Sequence, residues 1–106
     1  MTLKSKTTTK KSVSKLSDPK VSPPHPGEIL VGYYLAELGW TQSDLAKEIG
    51  CSYVKVNEIA NGRRGISAAF ALDLEQVLGT RAQMWLSLQA NFDLWHARKK
   101  NKRKAA

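Results

Sequence analysis

Apolar residues recur at spacings of three and four along most of the chain, and no convincing run alternates with period two. That pattern predicts helices and no sheet. Punctuating residues divide it into five segments. Pro26 suits a first helical turn, a helix over 28–38 follows, and Gly39 ends it. Gly32 inside that helix costs about 1 kcal/mol relative to Ala. Thr41, with Asp44 three residues on, caps a helix over 42–49 that Gly50 terminates. Ser52 caps a third over 53–61, closed by Gly62, and Ser67 caps a fourth over 68–78, closed by Gly79. Thr80, with Gln83 completing a capping box, starts a fifth that runs to about Ala97, where the apolar pattern stops.

The flanks differ in kind from this core. Residues 1–24 are rich in Lys, Ser and Thr, offer almost nothing to bury, and read as a disordered basic tail that ends in prolines. Residues 98–106 hold six bases and no acid and read as a second basic tail. The folded domain is placed at 25–97. The 106 residues carry a net charge of +8, yet 1–20 contribute +5, 98–106 contribute +6, and the middle is −3. Basicity therefore lies in the flanks, and the overall charge by itself says little about what the folded surface binds. The hydrophobic content of 42% suffices for one core. No apolar run is long enough for a membrane span, and no secretory leader is visible. A single cysteine, Cys51, excludes an intramolecular disulfide and any Cys-based zinc site, as expected of a cytoplasmic protein.

The sharpest local signal lies in 42–59. Two short helices joined by a glycine-containing turn make a helix-turn-helix candidate. Leu45 and Ile49 lie four apart, Val56 and Ile59 three apart, and Ala46 is small where two helices must approach. On a helical wheel Val56, Ile59 and Ala60 face inward. Val54, Asn57, Glu58 and Asn61 fall opposite, with Tyr53 and Lys55 on the flanks. Tyr53, Val54, Asn57 and Glu58 are the candidate base readers: Asn pairs with adenine edges, Val touches thymine methyls, and Glu accepts from cytosine. Gln42, Ser52, Lys55, Asn61, Arg63 and Arg64 are the candidate phosphate contacts.

Other residues extend the pattern into a family. His25-Pro26-Gly27-Glu28-Ile29-Leu30 opens it, and Leu38-Gly39-Trp40-Thr41-Gln42 leads into Leu45-Ala46. Asn61-Gly62-Arg63-Arg64-Gly65-Ile66-Ser67 follows the third helix, and Trp85-Leu86-Ser87-Leu88-Gln89 with Phe92-Asp93-Leu94 closes it. Over about 25–95 the chain resembles the HigA/VapI-type antitoxins, which carry an XRE-type helix-turn-helix. The resemblance implies an all-α, five-helix, lambda-repressor-like domain. It further implies a homodimer that binds an operator in double-stranded DNA, represses its own operon, and neutralises a HigB-type ribonuclease toxin. Tyr53-Val54-Lys55-Val56 departs from the family, where many relatives carry small hydroxyl residues and Arg, so no operator sequence transfers.

The fifth helix carries two apolar stripes. Met84, Trp85, Leu88, Phe92 and Trp95 form one, expected to mediate dimerisation, and Leu86, Ala90, Leu94 and Ala97 form the other. A basic toxin would favour the acidic middle, where Glu28, Glu37, Asp44, Glu48, Asp73, Glu75 and Asp93 are available. Catalysis, cofactors and metals find no support: His25 and His96 are isolated in sequence, and no nucleophile set or phosphate loop appears. Two other readings stand beside the antitoxin: a stand-alone XRE repressor that binds no toxin, and a protein-binding adaptor whose helix-turn-helix does not meet DNA.

Overall fold

The computed structural model describes residues 21–105, so most of the expected N-terminal tail lies outside the described residues. Within them the chain is all-helical. Helix α1 begins as Pro26–Ile29, continues as a π-helical stretch Leu30–Leu35 and closes with Ala36–Leu38. It is followed by α2 (Gln42–Ile49), α3 (Tyr53–Ala60), α4 (Ala68–Leu78) and α5 (Ala82–Ala105). Leu30 and Leu35 of α1, Leu45, Val56, Ile59, Phe70, Leu74 and Trp85 form the buried centre.

The start of α1 explains a motif. His25 is the N-cap: its Nδ1 accepts from the Gly27 N–H at 2.9 Å, and the Glu28 carboxylate accepts from the His25 N–H at 3.3 Å. Pro26 follows in the first turn, where no N–H is needed. His25, Pro26 and Gly27 are all buried, which corrects the expectation that the histidine stands alone. Its ring packs edge-on against Phe92 at 4.9 Å, and Phe92 meets His96 at 4.3 Å. Gly27 lies against α3 so closely that a Cβ there would overlap the Ile59 carbonyl. Burial holds the His25 imidazole below its ordinary pKa, against the opposing pull of the Glu28 and Asp93 carboxylates.

The π stretch is not legible from spacing. Leu30 and Leu35 are both fully or nearly fully buried. In a regular α-helix two residues five apart would diverge by about 140°. Bonding from i to i+5 inserts an extra residue into the turn and brings both leucines to the core side. Gly32 within the stretch faces open space.

The start of α5 also differs from expectation. The helix begins at Ala82, and Thr80 does not cap it. The Thr80 hydroxyl instead accepts from the buried Trp85 indole N–H at 2.7 Å. An indole with no exposure must find an acceptor, and Thr80 is the one within reach. The Ala82 N–H is taken by the Glu75 carboxylate at 3.4 Å. At the other end α5 does not stop with the apolar pattern near Ala97 but continues through the basic segment to Ala105. No Gly or Pro interrupts that segment, Lys and Arg are good helix formers, and cations suit a helix C-terminus.

Two tests follow from α1. Gly27→Ala should destabilise the fold by about 2 kcal/mol or more, since backbone must move away from backbone. Gly32→Ala, in open space, should stabilise it by up to about 1 kcal/mol. Urea denaturation of both variants reads the contrast. Separately, His25 must stay unprotonated at Nδ1 to cap α1. The folded state therefore binds this proton less readily than the unfolded chain, whose value is near 6.5. The contribution is fully present above that pH and is lost as pH falls below it. Melting temperature should drop between pH 7 and 5 more steeply for the native chain than for His25→Asn, which caps without titrating.

Candidate nucleic-acid interface

Helices α2 and α3 are set by local chemistry. The Thr41 hydroxyl accepts from the Asp44 N–H at 3.0 Å, and the Asp44 carboxylate accepts from the Thr41 N–H at 2.8 Å. The bond from the Thr41 N–H, then the Thr41 side chain and Lys47 nearby, hold the Asp44 carboxyl below the usual carboxylate range. Gly50 turns the chain between the helices at φ 85°, a conformation that favours glycine. Ser52 then starts α3, its hydroxyl accepting from the Lys55 N–H at 3.1 Å. Ala46 is buried where the two helices meet.

Val56 and Ile59 anchor α3 in the core with no exposure at all. The opposite face is open: Tyr53 is 50% and Val54 61% exposed. Asn57, half-buried beside them, is the hub of a polar network. Its Nδ2 donates to Gln42 Oε1 at 3.0 Å and to the Tyr53 hydroxyl at 3.4 Å. Its Oδ1 accepts from Asn61 Nδ2 at 3.2 Å. Gln42 at the start of α2 is thus tied to the middle of α3, and both Asn57 amide hydrogens are engaged. Sequence spacing places these residues on one face, but the bond between Gln42 and Asn57 is visible only in the structure.

Glu58 and Arg64 meet each other. Arg64 donates from Nη2 at 2.7 Å and from Nε at 2.9 Å, both to Glu58 Oε1. An exposed pair of this kind contributes about 0–1 kcal/mol to folding. It occupies, in the unbound chain, a carboxylate expected to meet a base and a guanidinium expected to meet a phosphate. The Glu58 carbonyl accepts from the Arg63 N–H at 2.8 Å, so the loop after α3 folds back on the helix end. Arg63 itself is exposed. Lys55 Nζ rests 5.2 Å from the Phe70 ring centroid, leaning on the core rather than reaching straight outward.

The loop 62–67 has a support that sequence reasoning passed over. Gln89 of α5 accepts from the Ile66 N–H at 2.8 Å and donates to Asp93 at 3.0 Å. A half-buried amide within an apolar helix is the signal that marks it.

The expected dimerisation stripe of α5 divides. Trp85 is fully buried within this chain, packed against Tyr34 at 5.4 Å, and presents no surface to a second copy. Met84 and Leu88 also pack partly on the core, and Phe92 on His25. Trp95 is half-buried, and Leu94 of the other stripe is 49% exposed. The acids are likewise less available than their number suggests. Glu28, Asp44, Glu75 and Asp93 all accept hydrogen bonds within the chain, which leaves Glu37, Glu48 and Asp73 of the expected set.

Comparison with known proteins places this geometry. A helix-turn-helix family model matches residues 32–85. Virulence-associated protein I of Dichelobacter nodosus is 44% identical over 70 residues, 66% of this chain and 65% of that protein. The chain therefore spans slightly less than two thirds of that relative. Antitoxin HigA-1 of Vibrio cholerae is 32% identical over 79 residues, 74% of each. The structure of Pseudomonas aeruginosa antitoxin HigA with its higBA promoter superposes with a TM-score of 0.74 at 37% identity, covering 78% of this chain and 90% of that one.

The network around Asn57 makes a test. Gln42→Ala should leave stability within about 1 kcal/mol, because the bond it removes is only partly buried. It should weaken duplex binding by more than that, since the Asn57 amide loses the partner on α2 that fixes its direction. Denaturation and fluorescence anisotropy on the same variant separate the two effects.

Proposed function

The chain belongs to the helix-turn-helix family matched by its residues 32–85, and on that premise we propose that it is a sequence-specific DNA-binding antitoxin of the HigA type. In this reading it binds an operator as a homodimer, represses its own operon and holds a HigB-type ribonuclease toxin inactive. The observation that carries it is the outer face of α3, where Tyr53 and Val54 stand exposed beside a braced Asn57. The promoter-bound state of a HigA structure at 37% identity supports the same assignment. Among the described residues no helix is long and apolar enough to cross a membrane.

The roles divide by chemistry. Val54 offers methyl contact to thymine, while Tyr53, Asn57 and Glu58 offer polar contact to base edges in the major groove. Gln42 keeps its Nε2 donors for a phosphate while its carbonyl is held by Asn57. Ser52, Lys55, Asn61, Arg63 and Arg64 supply the remaining backbone contacts. Two copies would set their α3 helices about 34 Å apart, one turn of the duplex. The surface between copies draws on Leu88, Phe92 and Trp95 with the edge of Met84, while Trp85 supports them from within. A basic toxin would meet Glu37, Glu48 and Asp73, acids that the fold does not use as caps or braces.

Selection from random duplexes should yield a two-fold symmetric site. Asn57→Ala should lower affinity for it by about 1–3 kcal/mol at one base position in each half. Arg63→Ala should weaken all sequences alike and reduce the salt slope by about one. Recovery of no preferred sequence would refute base reading. Co-expression with any short neighbouring reading frame that encodes a basic ribonuclease-like protein, followed by pull-down and growth assay, separates the antitoxin from a stand-alone repressor.

A further inference from the structure

The Glu58–Arg64 pair stands where the reading of bases meets the gripping of phosphates. Glu58 follows Val54 by one helical turn on the outward side of α3. Its side chain is 35% exposed and that of Arg64 is 51% exposed. Arg64 Nε and Nη2 both donate to the same oxygen, Glu58 Oε1, at 2.9 and 2.7 Å. The guanidinium is therefore fixed at the end of the face that carries Tyr53, Val54 and Asn57. The loop itself does not depend on this pair. The Glu58 carbonyl accepts from the Arg63 and Arg64 N–H groups at 2.8 and 3.3 Å, and Gln89 accepts from the Ile66 N–H. Those main-chain bonds hold the loop whether the side chains are joined or apart. Arg63 contrasts with its neighbour: it is exposed, and its side chain bonds to no described residue.

A guanidinium already bonded to a carboxylate takes a phosphate only by giving that carboxylate up. Opening an exposed pair of this kind costs little in itself. The consequence for Glu58 is what matters. Its carboxylate would be left unpaired against a duplex, between phosphates and base acceptors that repel it. Base edges differ in what they offer an anion. In the major groove guanine presents two acceptors, and thymine an acceptor and a methyl group. Adenine sets the acceptor N7 beside its amino group, whereas cytosine presents its amino donor alone. Cytosine is thus the base that best satisfies Glu58 as Arg64 departs.

We propose that Glu58 withholds Arg64 from the DNA backbone until α3 meets a cytosine. At the operator the carboxylate exchanges the guanidinium for the cytosine amino group, and the released Arg64 binds a phosphate. On other sequences the pair stays closed, and Arg64 adds nothing to binding. This rests on the DNA-binding reading above and deepens it: one phosphate contact becomes conditional on one base. Arg63, which no carboxylate holds, grips any duplex. Glu58 thereby determines specificity twice, by accepting from its base and by denying non-specific DNA a cation.

The test uses the full chain and the variants Glu58→Gln, Arg64→Gln, Arg63→Gln and Glu58→Gln/Arg64→Gln, with circular dichroism confirming that all remain folded. Anisotropy over a salt series is measured on the site that the full chain selects from random duplexes and on a scrambled duplex of the same length. Arg64→Gln should reduce the salt slope on the selected site by about one and leave the slope on the scrambled duplex unchanged. Arg63→Gln, the same change of charge one residue away, should reduce both slopes by about one. Glu58→Gln should steepen the slope on the scrambled duplex by about one and raise affinity for it about threefold or more at low salt. That gain should vanish when Arg64 is also Gln. Selection repeated with Glu58→Gln should lose a cytosine preference from each half-site. Equal losses of slope for Arg64→Gln on the two duplexes, no loss on the selected site, or a Glu58→Gln gain that persists without Arg64 overturns the proposal and leaves base reading by α3 intact. Half-sites whose cytosine preference survives Glu58→Gln, or that show none with the full chain, overturn it as well. If the full chain selects no sequence, base reading itself fails, and the exchange fails with it.

Discussion

The backbone of Gly27, in the first turn of α1, lies against the Ile59 carbonyl of α3 more closely than any side chain would permit. Everything that makes α3 a presentable surface follows from that contact. It brings the capped start of α1 onto the back of α3, next to the buried Val56 and Ile59. It also seats His25, which caps α1, meets Phe92 of α5 and closes over Gly62 at the end of α3. One short motif thereby ties the first, third and fifth helices together. Its caps contribute about 1 kcal/mol each, and its buried apolar neighbours about 1.5–3 kcal/mol apiece. Burial thus stabilises the junction more than capping does, and the steric condition at Gly27 is what lets that burial occur.

The outer face of α3 is organised by a different balance. Nothing there is buried enough for hydrogen bonds to contribute much to folding, yet the bonds from Asn57 to Gln42, Tyr53 and Asn61 fix side-chain directions. Restricting rotamers before a partner arrives lowers the ordering cost of binding. The Glu58–Arg64 pair works in the same way on charge. It keeps a carboxylate from standing unpaired on the face that the proposed reading turns toward DNA, at little consequence for stability.

Charge in this chain is spatially divided. The folded middle has an acidic excess, but much of it is committed to caps and braces, as Glu28, Asp44, Glu75 and Asp93 show. Arg63 and Arg64 stand beside the exit of α3 and Arg98, Lys99 and Lys100 along the end of α5, while Lys47, Lys55 and Arg81 lie elsewhere on the domain.

Helix boundaries at Thr41, Gly50, Ser52, Ser67 and Gly79 were legible because capping is local chemistry, decided within a few residues. The two faces of α3 were legible because Val56 and Ile59 recur at helical spacing. The sequence also carried the family, through motifs spread over most of the domain. It did not reveal the π stretch of α1, since Leu30 and Leu35 share a face only once the core requires both. Nor did it show that Thr80 would serve Trp85 rather than cap α5, or that Trp85 would be spent inside the chain. Capping and periodicity involve neighbours a turn apart. The partner of a buried indole, the overlap forbidden at Gly27 and the amide bridging α2 to α3 depend on distances between segments far apart in sequence, which only packing determines.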